Sequence, residues 1–292
     1  FDMRGLIGRN AQMSGVWVAL AAMIIFGLLR YENFGSAYNL GSFLNYNSMF
    51  IIISVGMCFV IMTGGIDLSV GFVAAFASIV AAYLSPWGIV TGLLGGVAAG
   101  AAFGAVNAFL IVVMRLPPFI ATLSTMLAAK GGALVISGKQ TVAVDWESSF
   151  TRLGMEKAFG SIPWTIVIVA IATLALWLLL ERTPLGRTVL AIGGSEEASD
   201  LMGLKVRRTK AFVYLLSGSC AGLAGVFLAS GFGAGQPLEG TGWELTAIAS
   251  VVVGGTLLTG GLGSIPGAFS TRQPTRCRRK SKAISMHLPL RR

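Results

Sequence analysis

Long apolar runs recur along the chain and are the feature that most limits what it can fold into. A helix needs about 20 apolar residues to cross about 30 Å of hydrocarbon. Eight runs approach or reach that length, at residues 14–29, 43–62, 68–84, 89–114, 119–137, 164–180, 211–231 and 245–262. Only 12% of the residues are charged, against about 25% in ordinary soluble domains. The sequence therefore predicts an all-α, polytopic bundle of transmembrane helices with about eight spans.

Positive charge is concentrated at the C-terminal end. The formal net charge is +10, yet eight of the 22 basic residues and none of the 12 acids follow Ser270. Residues 1–270 therefore hold 14 basic residues against 12 acids, and this near-neutral body does not indicate a nucleic-acid partner. We expect 1–270 to form the membrane domain and 271–292 to be a basic tail, either a truncated or frame-shifted end or sequence added for expression. Such a tail beside a membrane can also bind anionic lipid.

The remaining basic residues predict the orientation of the chain. With the N-terminus inside, nine fall on the cytoplasmic side: Arg4, Arg9, Arg115 and six residues of segment 181–210. Four fall outside: Arg30, Lys139, Arg152 and Lys157. Basic residues are enriched in cytoplasmic loops, so we expect a multi-pass membrane protein with a cytoplasmic N-terminus.

The segment 181–210 is the longest strongly charged stretch between apolar runs. Ser195 can cap a short helix, and Glu196 and Glu197 place negative charge at its positive end. Gly203 is a natural stop because glycine enters the left-handed conformation without a Cβ penalty. A helix of two turns is not stable alone. It is either a docking piece, held by the membrane helices and by a partner, or a solvated loop with one incidental turn.

The stretch TGGIDLSVG at residues 63–71 interrupts the apolar pattern between two spans. Its glycines weaken the helix, and Asp67 can cap the next one. A carboxylate near the membrane is costly unless it is paired, caps a helix or faces water. Asp67 therefore lines a polar path or orients a broken helix, or it is an interfacial cap with no role in binding substrate. Among the polar residues inside apolar spans, we expect Thr63, Asp67, Ser69, Thr122 and Thr125 to line the path.

Two further patterns concern packing. Gly92, Gly96, Gly100 and Gly104 recur every fourth residue, which predicts a smooth helix face that a neighbouring helix approaches closely. The stretch GGTLLTGG at 254–261 resembles GGIDLSVG at 64–71, and interrupted helices in corresponding places are typical of transporters. The proline pair in LPPFIATLST, residues 116–125, suits the first turn of a new helix.

Several catalytic patterns are missing from the sequence. It contains no GxxxxGK[ST] loop, no GxSxG elbow and no CxxC pair, and its one histidine, His287, lies in the tail. We therefore predict no catalytic residues and no metal site. A membrane enzyme is disfavoured, whereas a proton- or sodium-coupled carrier using Asp67 is the more serious alternative.

Three of these stretches together resemble permease subunits of bacterial carbohydrate ABC importers, the ribose and galactofuranose type, over residues 39–269. They are TGGIDLSVG, LPPFIATLST and the charged segment, in that order. Within the segment, Glu197, Ala198 and Gly203 match the family's Glu-Ala-Ala, three residues, Gly motif, and Ser199 replaces the second Ala. In the family this element is the coupling helix, to which we assign Glu196, Glu197, Ala198, Ser199 and Gly203.

The resemblance implies a function and a set of partners. The chain would be the pore-forming permease of an ATP-driven importer in the bacterial inner membrane, translocating a monosaccharide and doing no chemistry itself. ATP and Mg would be bound by separate ATP-binding subunits, so this chain holds no cofactor. A periplasmic sugar-binding protein and a second permease, either identical or related, would complete the complex. Family members have about ten spans, so two would be missing here.

Overall fold

The computed structural model describes residues 18, 21–158, 162–261 and 263, and over them the chain is almost entirely helical. Its helices are α1 (Ala21–Arg30), α2 (Ala37–Met62), α3 (Val70–Leu84), α4 (Ile89–Ala108), α5 (Pro118–Ile136), α6 (Arg152–Met155), α7 (Trp164–Arg182), α8 (Pro184–Gly194), α9 (Glu196–Leu201), α10 (Val206–Phe232) and α11 (Trp243–Val253). Four two-residue strands, β1 (Val142–Ala143), β2 (Lys157–Ala158), β3 (Ile162–Pro163) and β4 (Ala234–Gly235), form the antiparallel pairs β1–β4 and β2–β3.

Among the described residues, six helices are long and apolar enough to cross a membrane: α2, α3 with the 3₁₀ turn after it, α4 with a π-helical turn at Phe109–Val113, α5, α7 and α10. They confirm six of the eight predicted spans and the all-α polytopic class. Pro118 is the first residue of α5, as the proline pair predicts. Of the first predicted span, residue 18 and Ala21–Arg30 are described as helix. The tail 271–292 lies outside the described residues.

The eighth span is wrong in its predicted extent of 245–262. Helix α11 ends at Val253, and turns follow over 254–261. Gly255, Gly260 and Gly261 have positive φ, a conformation that ends an L-residue helix and that glycine adopts without a Cβ clash. The composition of these residues is apolar enough to resemble a span, but their backbone is not helical.

Helix α10 lies at the centre of the bundle, against α2, α3 and α4. Three glycines of the predicted stripe, Gly96, Gly100 and Gly104, lie where α4 and α10 meet. A Cβ at Gly100 would overlap backbone atoms of Gly218 and Gly222. A Cβ at Gly104 would lie 2.6 Å from the Tyr214 carbonyl oxygen. This contact between backbones confirms the close approach that the glycine spacing predicts.

The two ends of α10 mark the two ends of the bundle. The helix has 27 residues, which at 1.5 Å per residue is about 40 Å. Its first turn follows the charged segment. Its last residue precedes β4, which pairs with β1 in the loop after α5, and Gly233 there lies against the Trp146 ring. The charged segment and the loop 138–158 are therefore at opposite ends.

Candidate functional site

The charged segment folds into two consecutive short helices at one end of the bundle. Helix α8 buries Gly186, Val189 and Ile192 and exposes its polar side. A Cβ at Gly186 would overlap the Leu180 carbonyl at the end of α7, so only glycine lets α8 turn back this closely. Near the other end of α8, Gly193 lies directly against the Met62 carbonyl of α2. The segment is thus packed onto the bundle and is not a free loop.

Helix α9 begins and ends as its sequence predicts. The Ser195 hydroxyl accepts the Ala198 N–H at 3.2 Å, which satisfies one of the free donors of the first turn. Gly203 has φ of 77°, and its N–H donates to the Asp200 carbonyl at 2.9 Å while Leu204 N–H donates to Ser199 at 3.1 Å. These paired bonds around a left-handed glycine form a Schellman stop. The predicted two-turn helix is therefore present, with its cap and its stop.

Helix α9 is held against the bundle by a buried residue, Ser199, and by an ion pair from Glu196. Ser199 is fully buried, and its hydroxyl has no hydrogen-bond partner among the described residues. Glu196 forms an ion pair with Lys210 of α10, with 2.6 Å between Oε2 and Nζ. The Lys210 side chain is 17% exposed, so this pair is better shielded from water than an ordinary surface ion pair.

The apolar side of α9 faces away from the bundle. Leu201 is 90% exposed and Met202 68% exposed, and Ala198 is exposed beside them. The sequence places these three residues on one face, and this face is free to meet a partner. Single exposed apolar residues are common, but this pair is adjacent and lies on a capped, positioned helix. We call Ala198, Leu201 and Met202 the apolar face of α9.

An open cleft of about 500 Å³ lies between α9, the start of α10 and the turn from α4 to α5. Charged residues line much of it: Arg115, Glu196, Glu197, Asp200, Arg207 and Lys210. Pro117 and Pro118 complete its wall. The cleft brings Arg115 to the same end of the bundle as segment 181–210, as the prediction of orientation requires.

The five predicted path residues lie close to one another, and all are buried. Exposure is 5% for Thr63, 0% for Asp67, 1% for Ser69, 0% for Thr122 and 4% for Thr125. Thr63 and Thr122 donate to their own helix, to the Val60 and Pro118 carbonyls at 2.8 and 2.9 Å. The prediction that the five line a path remains a prediction, since here their polar atoms are bonded internally.

Asp67 is held by hydrogen-bond donors alone. Its Oδ1 accepts the Ser69 hydroxyl at 2.6 Å and the Ser69 N–H at 3.0 Å, and its Oδ2 accepts the Ser217 hydroxyl at 2.8 Å. No ion pair to Asp67 occurs within the described ranges. A buried carboxylate is tolerated when donors replace its water. The expectation that Asp67 caps α3 is wrong, because the N-cap residue is Ser69 and Asp67 bonds that residue instead.

Asn107 extends this arrangement to two further helices. Its Nδ2 donates to the Ser69 hydroxyl at 2.9 Å, and its Oδ1 accepts the Thr125 hydroxyl at 2.5 Å. The Asp67 network, comprising Asp67, Ser69, Asn107, Thr125 and Ser217, therefore joins the break after α2 to α4, α5 and α10. Asn107 and Ser217 are the members that were not among the predicted path residues. The one signal for each is a polar side chain inside an apolar span, a signal that several other residues share.

The two similar glycine-rich stretches meet in space. Gly261 N–H donates to the Met62 carbonyl at 3.1 Å, and the Cys58 sulfur lies 3.7 Å from the Thr256 hydroxyl. Both stretches end a helix, α2 in one case and α11 in the other. The weak sequence match thus corresponds to two helix breaks in contact with each other and with Gly193 of α8.

Comparison with known proteins places the chain among transport proteins. A family model described as branched-chain amino acid transport system / permease component matches residues 39–271. The ribose import permease protein of Escherichia coli K12 is 40% identical over 259 residues, covering 86% of this chain and 80% of the relative. The D-allose transport system permease protein of the same strain is 37% identical, covering 86% and 78%. No solved structure matches the chain.

A relative from another bacterial group gives the same result. The fructose import permease protein of Bifidobacterium longum is 37% identical over 265 residues, covering 85% of this chain and 78% of its own length. The family match over residues 39–271 includes helices α3 to α11, all but the first two residues of α2, and the Asp67 network. The chain therefore belongs to the family of transport-system permease components.

Proposed function

We propose that this chain is the transmembrane permease subunit of an ATP-driven importer of the ABC type, and that it carries a monosaccharide across the bacterial inner membrane. The observation that carries the proposal is α9, a capped helix whose apolar face is exposed at one end of a membrane bundle. An exposed apolar face on a positioned helix suits a protein partner, and in this proposal that partner is the subunit that binds ATP.

The class of substrate follows from the relatives. The family description refers to branched-chain amino acids, but the similar proteins are named for ribose, D-allose, fructose and L-arabinose. Relatives that are 37–40% identical are closer evidence than a family-wide description. A monosaccharide is therefore the proposed cargo, without a choice among sugars.

The partners are assigned to the two ends of the bundle. An ATP-binding subunit, which holds ATP and Mg, docks on the apolar face of α9 and on the cleft beside it. A periplasmic sugar-binding protein meets the opposite end, where loop 138–158 lies. A second permease, identical or related, completes the pore. The end that contains α9 faces the cytoplasm, and the N-terminus is on the same side.

The ion-coupled carrier is the weaker candidate. In that mechanism Asp67 would exchange a proton or sodium ion with water during transport, yet here it is fully buried and bonded to Ser69 and Ser217. The relatives named above are import or transport-system permeases, which gives this candidate no support.

Co-purification tests the proposal. The tagged chain is extracted from its host membranes beside two variants, Glu197→Lys on α9 and Glu147→Lys in the loop at the opposite end. Both replace an exposed acid with a base, so total charge is matched. We expect an ATPase with a phosphate-binding loop to stay with the native chain and with Glu147→Lys, and to be lost from Glu197→Lys.

Uptake measurements complete the test. Sugar uptake that stops when ATP is depleted but survives collapse of the proton and sodium gradients supports the importer. Uptake that follows an ion gradient, with no ATPase bound to the native chain, overturns the proposal in favour of the carrier.

A further inference from the structure

One face of α10 links α9 to the break between α2 and α3. Lys210, Tyr214 and Ser217 are spaced four and three residues apart, so their side chains lie one above another along the helix. Each touches a different part of the candidate site. We call these three residues the contact face of α10.

The lower end of the contact face is tied to α9. Lys210 and Glu196 are joined by the 2.6 Å ion pair, and α9 leads into α10 through only four residues, 202–205. A displacement of α9 therefore acts on the first turns of α10. In the same region, Lys210 and Glu196 also line the cleft.

The middle of the contact face is Tyr214, whose side chain is fully buried. A Cβ at Gly65 would overlap the Tyr214 hydroxyl, so this glycine leaves the space that the ring occupies. The hydroxyl has no hydrogen-bond partner among the described residues. Because the Tyr214 side chain packs directly against the backbone at Gly65, a shift of this side chain also shifts the backbone of 63–69.

The upper end of the contact face is Ser217, which donates to Asp67. Asp67 in turn bonds the N–H and hydroxyl of Ser69 at the start of α3. Three consecutive contacts thus run from α9 along α10 to the break. Because α10 packs on α4 through glycine backbones, it has few side chains with which to absorb a displacement.

We propose that α10 transmits displacement of α9 to the segment 63–69, with Lys210, Tyr214 and Ser217 as positioning residues that act through Asp67. The inference rests on the proposed function for its biological meaning, since α9 is displaced by the ATP-binding subunit. A competing direct route exists through α8, because Gly193 touches the Met62 carbonyl. The two routes predict different effects of single substitutions.

Amide hydrogen exchange on the purified chain in lipid nanodiscs separates the routes without needing any partner. Ser217→Ala removes the upper contact, Lys210→Ala removes the lower one, and Ser219→Ala is the matched control. Ser219 is on the same helix and half-buried, and its hydroxyl donates to the Leu215 carbonyl within that helix. We expect the Ser69 amide to exchange about tenfold faster in Ser217→Ala. We expect the same amide to exchange about threefold faster in Lys210→Ala and at an unchanged rate in the control.

The effect of Lys210→Ala decides the matter, because Lys210 touches neither Asp67 nor Ser69. Unchanged exchange over 63–69 in Lys210→Ala overturns the proposal. So does an equal acceleration in Ser219→Ala, which would mean that α10 loosens as a whole. If the proposed function is wrong, no ATPase co-purifies with the native chain. The exchange measurement uses the chain alone, so its result is read in the same way in either case.

A second measurement uses the assembled importer. The ratio of sugar imported to ATP hydrolysed is compared for Lys210→Ala, Ser217→Ala and the double variant, with bound ATPase measured in each. Distant independent sites combine additively. We expect each single variant to lower the ratio and the double variant to lower it no further. Because the ratio counts sugar imported per ATP hydrolysed, it does not depend on how much ATPase stays bound. Additive losses in the double variant contradict a single route through α10.

Discussion

Ser199 is the residue at which this chain departs from the Glu-Ala-Ala pattern, and the structure gives that departure a physical meaning. The side chain is fully buried beneath α9, and its hydroxyl lacks a partner among the described residues. A small side chain fits there, but its polar atom is not used. Alanine would occupy the same place without a hydroxyl to desolvate.

We therefore predict that Ser199→Ala stabilises the protein. Removing a buried, unbonded hydroxyl should raise the free energy of unfolding by about 1 kcal/mol. Thermal unfolding of the purified chain in detergent measures this. Ser219→Ala, at a half-buried hydroxyl that donates to the Leu215 carbonyl, should have little effect. A clear fall in the unfolding temperature of Ser199→Ala would mean that the hydroxyl has a partner outside the described residues.

The sequence predicted the local hydrogen bonds of α9 but not the long-range bond to Asp67. The cap at Ser195 and the stop at Gly203 were predictable because each acts within five residues along the chain. The bond from Ser217 to Asp67 was not, since 150 residues separate the two and several other hydroxyls in apolar spans looked equivalent. Local hydrogen bonds are encoded by spacing, whereas long-range ones depend on which helix faces meet.

At the scale of elements, the stop of α9 depends on backbone conformation more than on space. Gly203 has φ of 77°, and no atom lies within 4 Å of its would-be Cβ. Gly194, before α9, also has open space around it but has no positive φ. Comparing the two glycines therefore measures the cost of the left-handed conformation alone, since a Cβ meets no atom at either position.

We predict that Gly203→Ala weakens the docking helix and Gly194→Ala does not. A left-handed alanine costs about 1 kcal/mol, which should fray the last turn of α9. Hydrogen exchange at Met202 and Gly203 and the amount of co-purified ATPase measure the effect. Equal behaviour of the two variants would show that the left-handed stop is unimportant for α9.

The packing of α4 on α10 gives a second prediction at this scale. A Cβ at Gly100 would overlap the backbone of α10, whereas a Cβ at Gly131 of α5 meets nothing within 4 Å. Gly100→Ala should lower the free energy of unfolding by about 2 kcal/mol through overpacking, and Gly131→Ala should not lower it. Chemical unfolding in mixed micelles compares them. Similar stability of the two variants would mean that α4 and α10 separate easily.

The end of α11 shows where hydropathy fails for an element. Residues 254–261 are apolar enough to resemble a span, but three of their glycines adopt positive φ. Hydropathy counts side chains and carries no information about backbone angles, so the predicted span was too long. The similarity to 64–71 was the better signal, because that stretch was already recognised as a break.

At the scale of the whole molecule, orientation remains the largest prediction from the sequence. The structure brings Arg115 and segment 181–210 to one end and loop 138–158 to the other. The count of basic residues then predicts which end faces the cytoplasm, because basic loops stay in the cytoplasm.

We predict that loop 138–158 faces the periplasm and α8 the cytoplasm. In a background without native cysteines, Glu147→Cys should react with an impermeant maleimide in intact spheroplasts. Arg187→Cys should react only after the membrane is permeabilised. Both side chains are exposed, so access differs only by the side of the membrane. The reverse pattern would invert the predicted topology.

The exposed apolar face of α9 also bears on how a cell must make this protein. A chain synthesised without its partner displays Leu201 and Met202 to the surrounding water on a surface that cannot turn inward, because the cap and the stop hold it in place. Quality-control proteases and chaperones recognise such surfaces. Accumulation of the chain should consequently follow the supply of its partner, so that subunit ratios are balanced by survival of the assembled complexes as well as by synthesis.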